Sequence, residues 1–125
     1  MFPIRSLACA AAAAMLVAAC ASMSSPAVKM ADGVLVNDAG MTLYTFDKDT
    51  AGSGKSACNG PCIALWPAVP AGAASYAAPY SVVTRDDGGK QLARNGKPLY
   101  LFAQDTRPGE RKGDKVKDVW HVVTD

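Results

Sequence analysis

The sequence holds a single histidine, and it contains no zinc-binding pattern, no haem-attachment motif, no glycine-rich phosphate loop and no nucleophile elbow. With these the commonest routes to catalysis are missing, so neither an enzymatic activity nor a cofactor is expected. Charge is close to balanced, at a formal +2, which leaves no electrostatic footprint for nucleic acid as a partner. The apolar run Ala8 to Ala19 falls short of a comfortable membrane span. A chain of 125 residues without such a span is one small domain.

What the N-terminus does hold is the layout of an export signal. Arg5 precedes the apolar run, and small residues close it, so residues 1–19 are read as a signal peptide outside the fold. The exit, Leu16-Val-Ala-Ala-Cys20, resembles a bacterial lipobox, in which cleavage precedes the cysteine and the cysteine is acylated. Ordinary cleavage around Ala19 to Ala21 is the competing reading and would leave a soluble secreted protein. Acylation of Cys20 makes the membrane a partner through a lipid anchor. Ala21 stands where lipoproteins kept at the inner membrane often carry aspartate, which directs the expectation to the outer membrane, facing the periplasm. Residues 20–26, with Ser22, Ser24 and Ser25, read as a tether.

From residue 27 onward one stretch occurs twice. Gly40 to Thr50 and Gly96 to Thr106 share Gly, Leu, Tyr, Phe, Asp and Thr in step, without a gap. The surroundings repeat as well: Asp32-Gly33 answers Asp87-Gly88, and Trp66 answers Trp120. We therefore expect a single all-β domain over 27–125, built from two pseudo-symmetric antiparallel meander repeats at 27–70 and 79–125. Strands are expected at Val28 to Ala31, Val34 to Asn37 and Met41 to Phe46, and again at Tyr80 to Thr84, Lys90 to Arg94 and Lys97 to Phe102. Asp32-Gly33 and Asn95-Gly96 are the tight-turn signals. Cys62 to Trp66 is expected to make one helical turn after the Cys-x3-Cys loop, ended by Pro67, and a final strand lies near Val119 to Thr124.

Both Tyr44-Thr-Phe46-Asp-Lys-Asp49 and Tyr100-Leu-Phe102-Ala-Gln-Asp105 fit Tyr-x-(Phe/Trp/Tyr)-x-x-Asp. The chain thereby resembles a family of bacterial secreted repeats and predicted lipoproteins named for this motif. Ser56 to Cys62, Trp66-Pro67, the Asp87-Gly88 turn, Gly96 to Tyr100, Pro108-Gly109 and Trp120 also look like that family's pattern. The resemblance implies lipidation near the N-terminus but no biochemical activity, since none is established for the family.

The candidate chemistry has a plain reading and a sharper one at each place. Tyr and Phe two residues apart share a strand face, and the aspartate falls just past the strand's end. Structurally, Tyr44, Phe46, Tyr100 and Phe102 would pack, and Asp49 and Asp105 would accept backbone N–H groups from the loops that follow. Functionally, the same residues would surround a shared cleft. Cys58 and Cys62 would form a disulfide in an exported protein, or as free thiolates hold a soft metal or exchange electrons. His121 could join them as a ligand, but beside Trp120 it reads more simply as a half-exposed strand residue. Asp47 to Gly52 echoes a calcium loop without the later oxygen ligands, and Ala103 replaces Asp47 in the second copy. The basic stretch Arg107 to Lys117 could face anionic headgroups or remain a solvated loop. The functional expectation is a non-enzymatic envelope module for an envelope protein or small ligand. A periplasmic metal or redox protein using Cys58, Cys62 and His121 is the alternative.

Overall fold

The computed structural model describes residues 24–125. The signal peptide and Cys20 lie outside the described residues. Ser24, within the expected tether, already forms a parallel bridge with Tyr76 on the domain.

The turn chemistry places the first strands. Asp32 and Gly33 both have positive φ, 50° and 84°, the conformation that a two-residue hairpin requires. They join β1 (Val28–Ala31) to β2 (Val34–Asn37), with Ala31 opposite Val34. Asn95 and Gly96, at 54° and 78°, do the same between β5 (Lys90–Arg94) and β6 (Lys97–Pro98). β4 (Tyr80–Thr84) completes this sheet in the order β4-β5-β6. The expected third strand of each copy is only partly regular. In the first copy the chain stays beside β2 through the Val36 to Thr42 bridge, then leaves it as β3 (Tyr44–Phe46). The expected helical turn is present as α1 (Pro61–Leu65), starting at Pro61, one residue before Cys62. The fixed φ and missing N–H of Pro61 suit a first helical position.

The two copies do not close on themselves. The final strand, β7 (Trp120–Val122), pairs antiparallel with β3 of the other copy, with Tyr44 opposite Val122. Ala68, which follows Trp66, pairs with Tyr100 in the same manner. The tryptophan segment of each copy thus lies against the motif strand of its mate. The backbone bonds come in matching sets: Leu35 N–H donates to the Val123 carbonyl and Leu92 N–H to that of Val69, both at 2.8 Å. Tyr44 and Tyr100 exchange N–H to carbonyl bonds of 2.8 and 2.9 Å, so the pseudo-two-fold axis passes between them.

Residue alternation along this central pair divides the core in two. Leu43 and Leu99 point into an aliphatic cluster with Leu35, Leu92, Val69 and Val123, again three equivalent pairs. Tyr44 and Tyr100 point the opposite way, into a cluster with Trp66, Trp120, Phe102 and Cys58. A strand covered on both faces is what its lack of a polar parity implies.

Space at the aromatic cluster is exhausted. A Cβ built on Gly113 would lie 2.7 Å from the Trp66 ring and 3.0 Å from the Tyr44 ring, both fixed in the stack. Gly113→Ala is therefore expected to cost about 1–3 kcal/mol as an overpacking substitution. Urea unfolding checks this; an unchanged midpoint would show that the rings can yield.

Candidate functional site: the tyrosine and aspartate exchange between repeats

The motif residues meet across the axis. Tyr44 donates its hydroxyl proton to Asp105 Oδ2 at 2.6 Å, and Tyr100 donates to Asp49 Oδ2 at 2.7 Å. The second carboxylate oxygen of each aspartate turns back to its own copy: Asp49 Oδ1 accepts from Ala57 N–H at 2.6 Å, and Asp105 Oδ1 from Lys112 N–H at 2.9 Å. Each aspartate therefore fixes the loop that follows it and binds the tyrosine of its mate. Two further donors complete the phenol oxygens. Gly113 N–H donates to Tyr44, and the Ser56 hydroxyl lies 2.6 Å from that of Tyr100, whose own proton is committed to Asp49.

Both tyrosine side chains are fully enclosed. Burial first, and the adjacent carboxylate second, push the Tyr44 phenol far above its ordinary range; burial likewise dominates at Tyr100. Burial also raises Asp49, against the lowering pull of Ala57 N–H, the Tyr100 hydroxyl and the Arg85 charge.

The aromatic rings repeat the symmetry. Trp66 and Trp120 stack with centroids 3.7 Å apart, and Phe102 and Phe46 extend the stack at either end, each at 4.2 Å. Tyr44 stands edge-on to Trp66 at 5.4 Å, and Tyr100 to Trp120 at 5.1 Å. Aromatic pairs in these geometries add about 0.5–1.5 kcal/mol each beyond area burial. The arrangement binds the two copies to one another, with the motif tyrosines wholly enclosed.

Cys58 and Cys62 are joined in a disulfide, with Cys58 wholly buried against the aromatic cluster. Their sulfurs are consequently not available as thiolate ligands. Among the described residues no group of three or more His, Cys, Asp or Glu side chains is placed to hold a metal ion. His121 is far from the cysteines in role: its Nε2 lies 2.8 Å from Asp47 Oδ2, and both side chains are about half exposed. Asp47 and Asp49 face different partners and share no calcium position.

One buried residue was not signalled by the sequence. Arg85, 4% exposed, follows β4 and sends its guanidinium under the disulfide loop. Nη1 donates to Ser56 Oγ and Gln91 Oε1, both at 2.9 Å; Nη2 donates to the Cys58 carbonyl at 2.6 Å and to Asn59 Oδ1 at 3.1 Å. Through Ser56 this network reaches Tyr100 and Asp49. No local pattern around Arg85 distinguishes it from a surface strand-end arginine. The basic loop is likewise more built than its composition implies, since Glu110 accepts from Thr106 and Arg107 N–H and Arg111 donates to the Asp32 carbonyl at 2.7 Å. The backbone N–H of Thr106, ahead of the other donors, lowers Glu110 to about 2.

Two interlaced copies of one unit, held by buried side chains of the repeated motif, define an intramolecularly paired repeat protein. The chain belongs to the Lipoprotein_15 family, described as a secreted repeat of unknown function, which matches residues 27–70 and 81–124. Comparison with curated proteins and with solved structures finds no match. No helix among the described residues is long and apolar enough to cross a membrane.

Three outcomes follow from this geometry. Tyr44→Phe removes a donor from buried Asp105 and is expected to cost about 1–3 kcal/mol, read from chemical denaturation. The two phenols resist ionisation only in the folded state, so their contribution is complete below a pH of about 10 and is lost as pH rises. With the half-buried Tyr76 and Tyr80 replaced by Phe, alkaline titration should show phenolate absorbance and loss of circular dichroism together; phenolate formation in that chain while it is still folded would contradict the burial argument. Reducing the Cys58–Cys62 bond opens a very short loop, worth about 2 kcal/mol in chain entropy, so the domain should remain folded with a lowered Tm.

Proposed function

We propose that this protein is a non-enzymatic, lipid-anchored module of the bacterial cell envelope, in which the repeated motif builds the domain and recognition falls to positions where the copies differ. One observation carries the reading: the motif tyrosines are enclosed and their hydroxyls committed to aspartates of the opposite copy. Residues so occupied are spent on folding. What remains free to meet a ligand or an envelope protein is the surface that the duplication does not share.

The anchor is supported by the lipobox-like Leu16 to Cys20 and by membership of a secreted family. Ala21 after the cysteine favours the outer membrane, facing the periplasm. The alternative reading as a metal or redox protein loses its thiolates to the disulfide. Thiol titration of the non-reduced protein is expected to find no reactive thiol from this pair.

Metabolic labelling with radioactive palmitate in the native host tests the anchor. The wild-type chain should carry label and partition with membranes, and Cys20→Ala should abolish both. An unlabelled wild-type chain would overturn the lipoprotein reading while leaving the domain argument intact.

A further inference from the structure

The pseudo-two-fold symmetry produces two equivalent clefts that have diverged in chemistry. One, of about 350 Å3, is lined by Thr45, Asp47, Arg94, Lys97 and His121 together with the last residues of the chain. The other, of about 300 Å3, is lined by Asn37, Asp38, Ala39, Val69, Pro70 and Leu101 and holds no cationic side chain. Their equivalence follows from the pairing. Arg94 and Asn37 are the last residues of β5 and β2, opposite Tyr80 and Val28, which begin β4 and β1. Val123 and Val69 accept the matching bonds from Leu35 and Leu92. Thr45 and Leu101 follow the two motif tyrosines.

The fold does not need cations at this position. In the second cleft Leu101 stands for Thr45, while Ala103 and Pro67 occupy the places of Asp47 and His121, and the architecture is the same. The polar set makes few stabilising contacts. The Asp47 and His121 side chains are about half exposed, and an exposed pair of this kind adds little. Among the described residues the Lys97 ammonium has no hydrogen-bond or ion-pair partner, and the second ring nitrogen of His121 has none. Arg94 is mostly buried, donates to the Thr124 carbonyl at 3.3 Å and approaches Asp125 at 3.6 Å, while its Nε–H is buried without a partner.

We propose that this cleft binds a phosphate group as a dianion, held by Arg94, Lys97 and the protonated ring of His121. Two permanent cations and an imidazolium N–H that does not face Asp47 match a doubly charged oxyanion better than a single carboxylate. Asp47, just beyond β3, orients the imidazole and offsets its charge; Asp125, beyond β7, is the acidic group paired with Arg94. The proposal rests on the reading that recognition lies where the repeats differ, but its test is independent of the lipid anchor.

The test follows the His121 ring by NMR in the full mature chain, in neutral detergent, titrated with inorganic phosphate at constant ionic strength. Sulfate, whose double charge does not depend on pH, serves as the comparison anion. Saturable shifts are expected with both anions at a fixed pH. Lys97→Gln, an exposed substitution that leaves the strands intact, should weaken phosphate binding about ten-fold with unchanged circular dichroism. Cosedimentation of the Cys20→Ala chain, which lacks the acyl anchor, with phosphatidylcholine vesicles, with and without phosphatidic acid, separates the sources. Capture that depends on phosphatidic acid and on Lys97 assigns a headgroup phosphate; saturation by the free ion without capture assigns a soluble one. Shifts no larger than those with chloride, or equal affinity in Lys97→Gln, would overturn the site.

Discussion

Each aspartate of the repeated motif is shared between two obligations that no single copy can meet. One carboxylate oxygen caps the loop of its own repeat, and the other takes the hydroxyl of a tyrosine that the opposite repeat supplies. Breaking either bond strands a polar group in the interior, where an unmade hydrogen bond costs more than a made one contributes. The rest of the domain is arranged around keeping this exchange dry and in register. Trp66 and Trp120 seal it as a stacked pair, the tyrosines stand edge-on to them, and Gly113 leaves the room that the rings occupy.

The strand connections serve the same constraint. β7 lies on β3, and Ala68 on Tyr100, so the segment after each tryptophan is anchored by the copy it did not come from. Gly96 shows how closely the copies approach, since a Cβ there would stand 2.6 Å from the backbone nitrogen of Gly52. Only the residues outside this mesh have been free to diverge, and they have done so unequally. The disulfide and the buried Arg85 network support the first copy's loop, whereas Glu110 and Arg111 tie down the second.

Local chemistry was readable from the chain alone. Asp32-Gly33 and Asn95-Gly96 can adopt two successive positive φ values with little strain, so the hairpins and their strands fall where such pairs demand. The duplication was readable because identical residues recur in step. What spacing does not carry is which tyrosine an aspartate meets: Tyr44 and Asp49 belong to one motif, yet each bonds the other copy. That choice is set by the crossing of β3 and β7, a non-local pairing with no trace in a short window. Arg85 was hidden for a similar reason, because its burial comes from a loop far away in sequence. The start of α1 at Pro61 was within reach, since proline at a first helical position is a local preference.

A reciprocal exchange about an axis is the geometry of an isologous dimer, here with both protomers on one polypeptide. A lone repeat would expose an unpaired phenol, an unpaired carboxylate oxygen and half of a tryptophan sandwich, and its only complete partner would be another repeat. Units of this kind associate two at a time instead of stacking into an open solenoid. Arrays of them would grow by pairs, like beads each made of two halves. Fusing the halves then removes the concentration dependence of their association and frees each to change its outer surface independently.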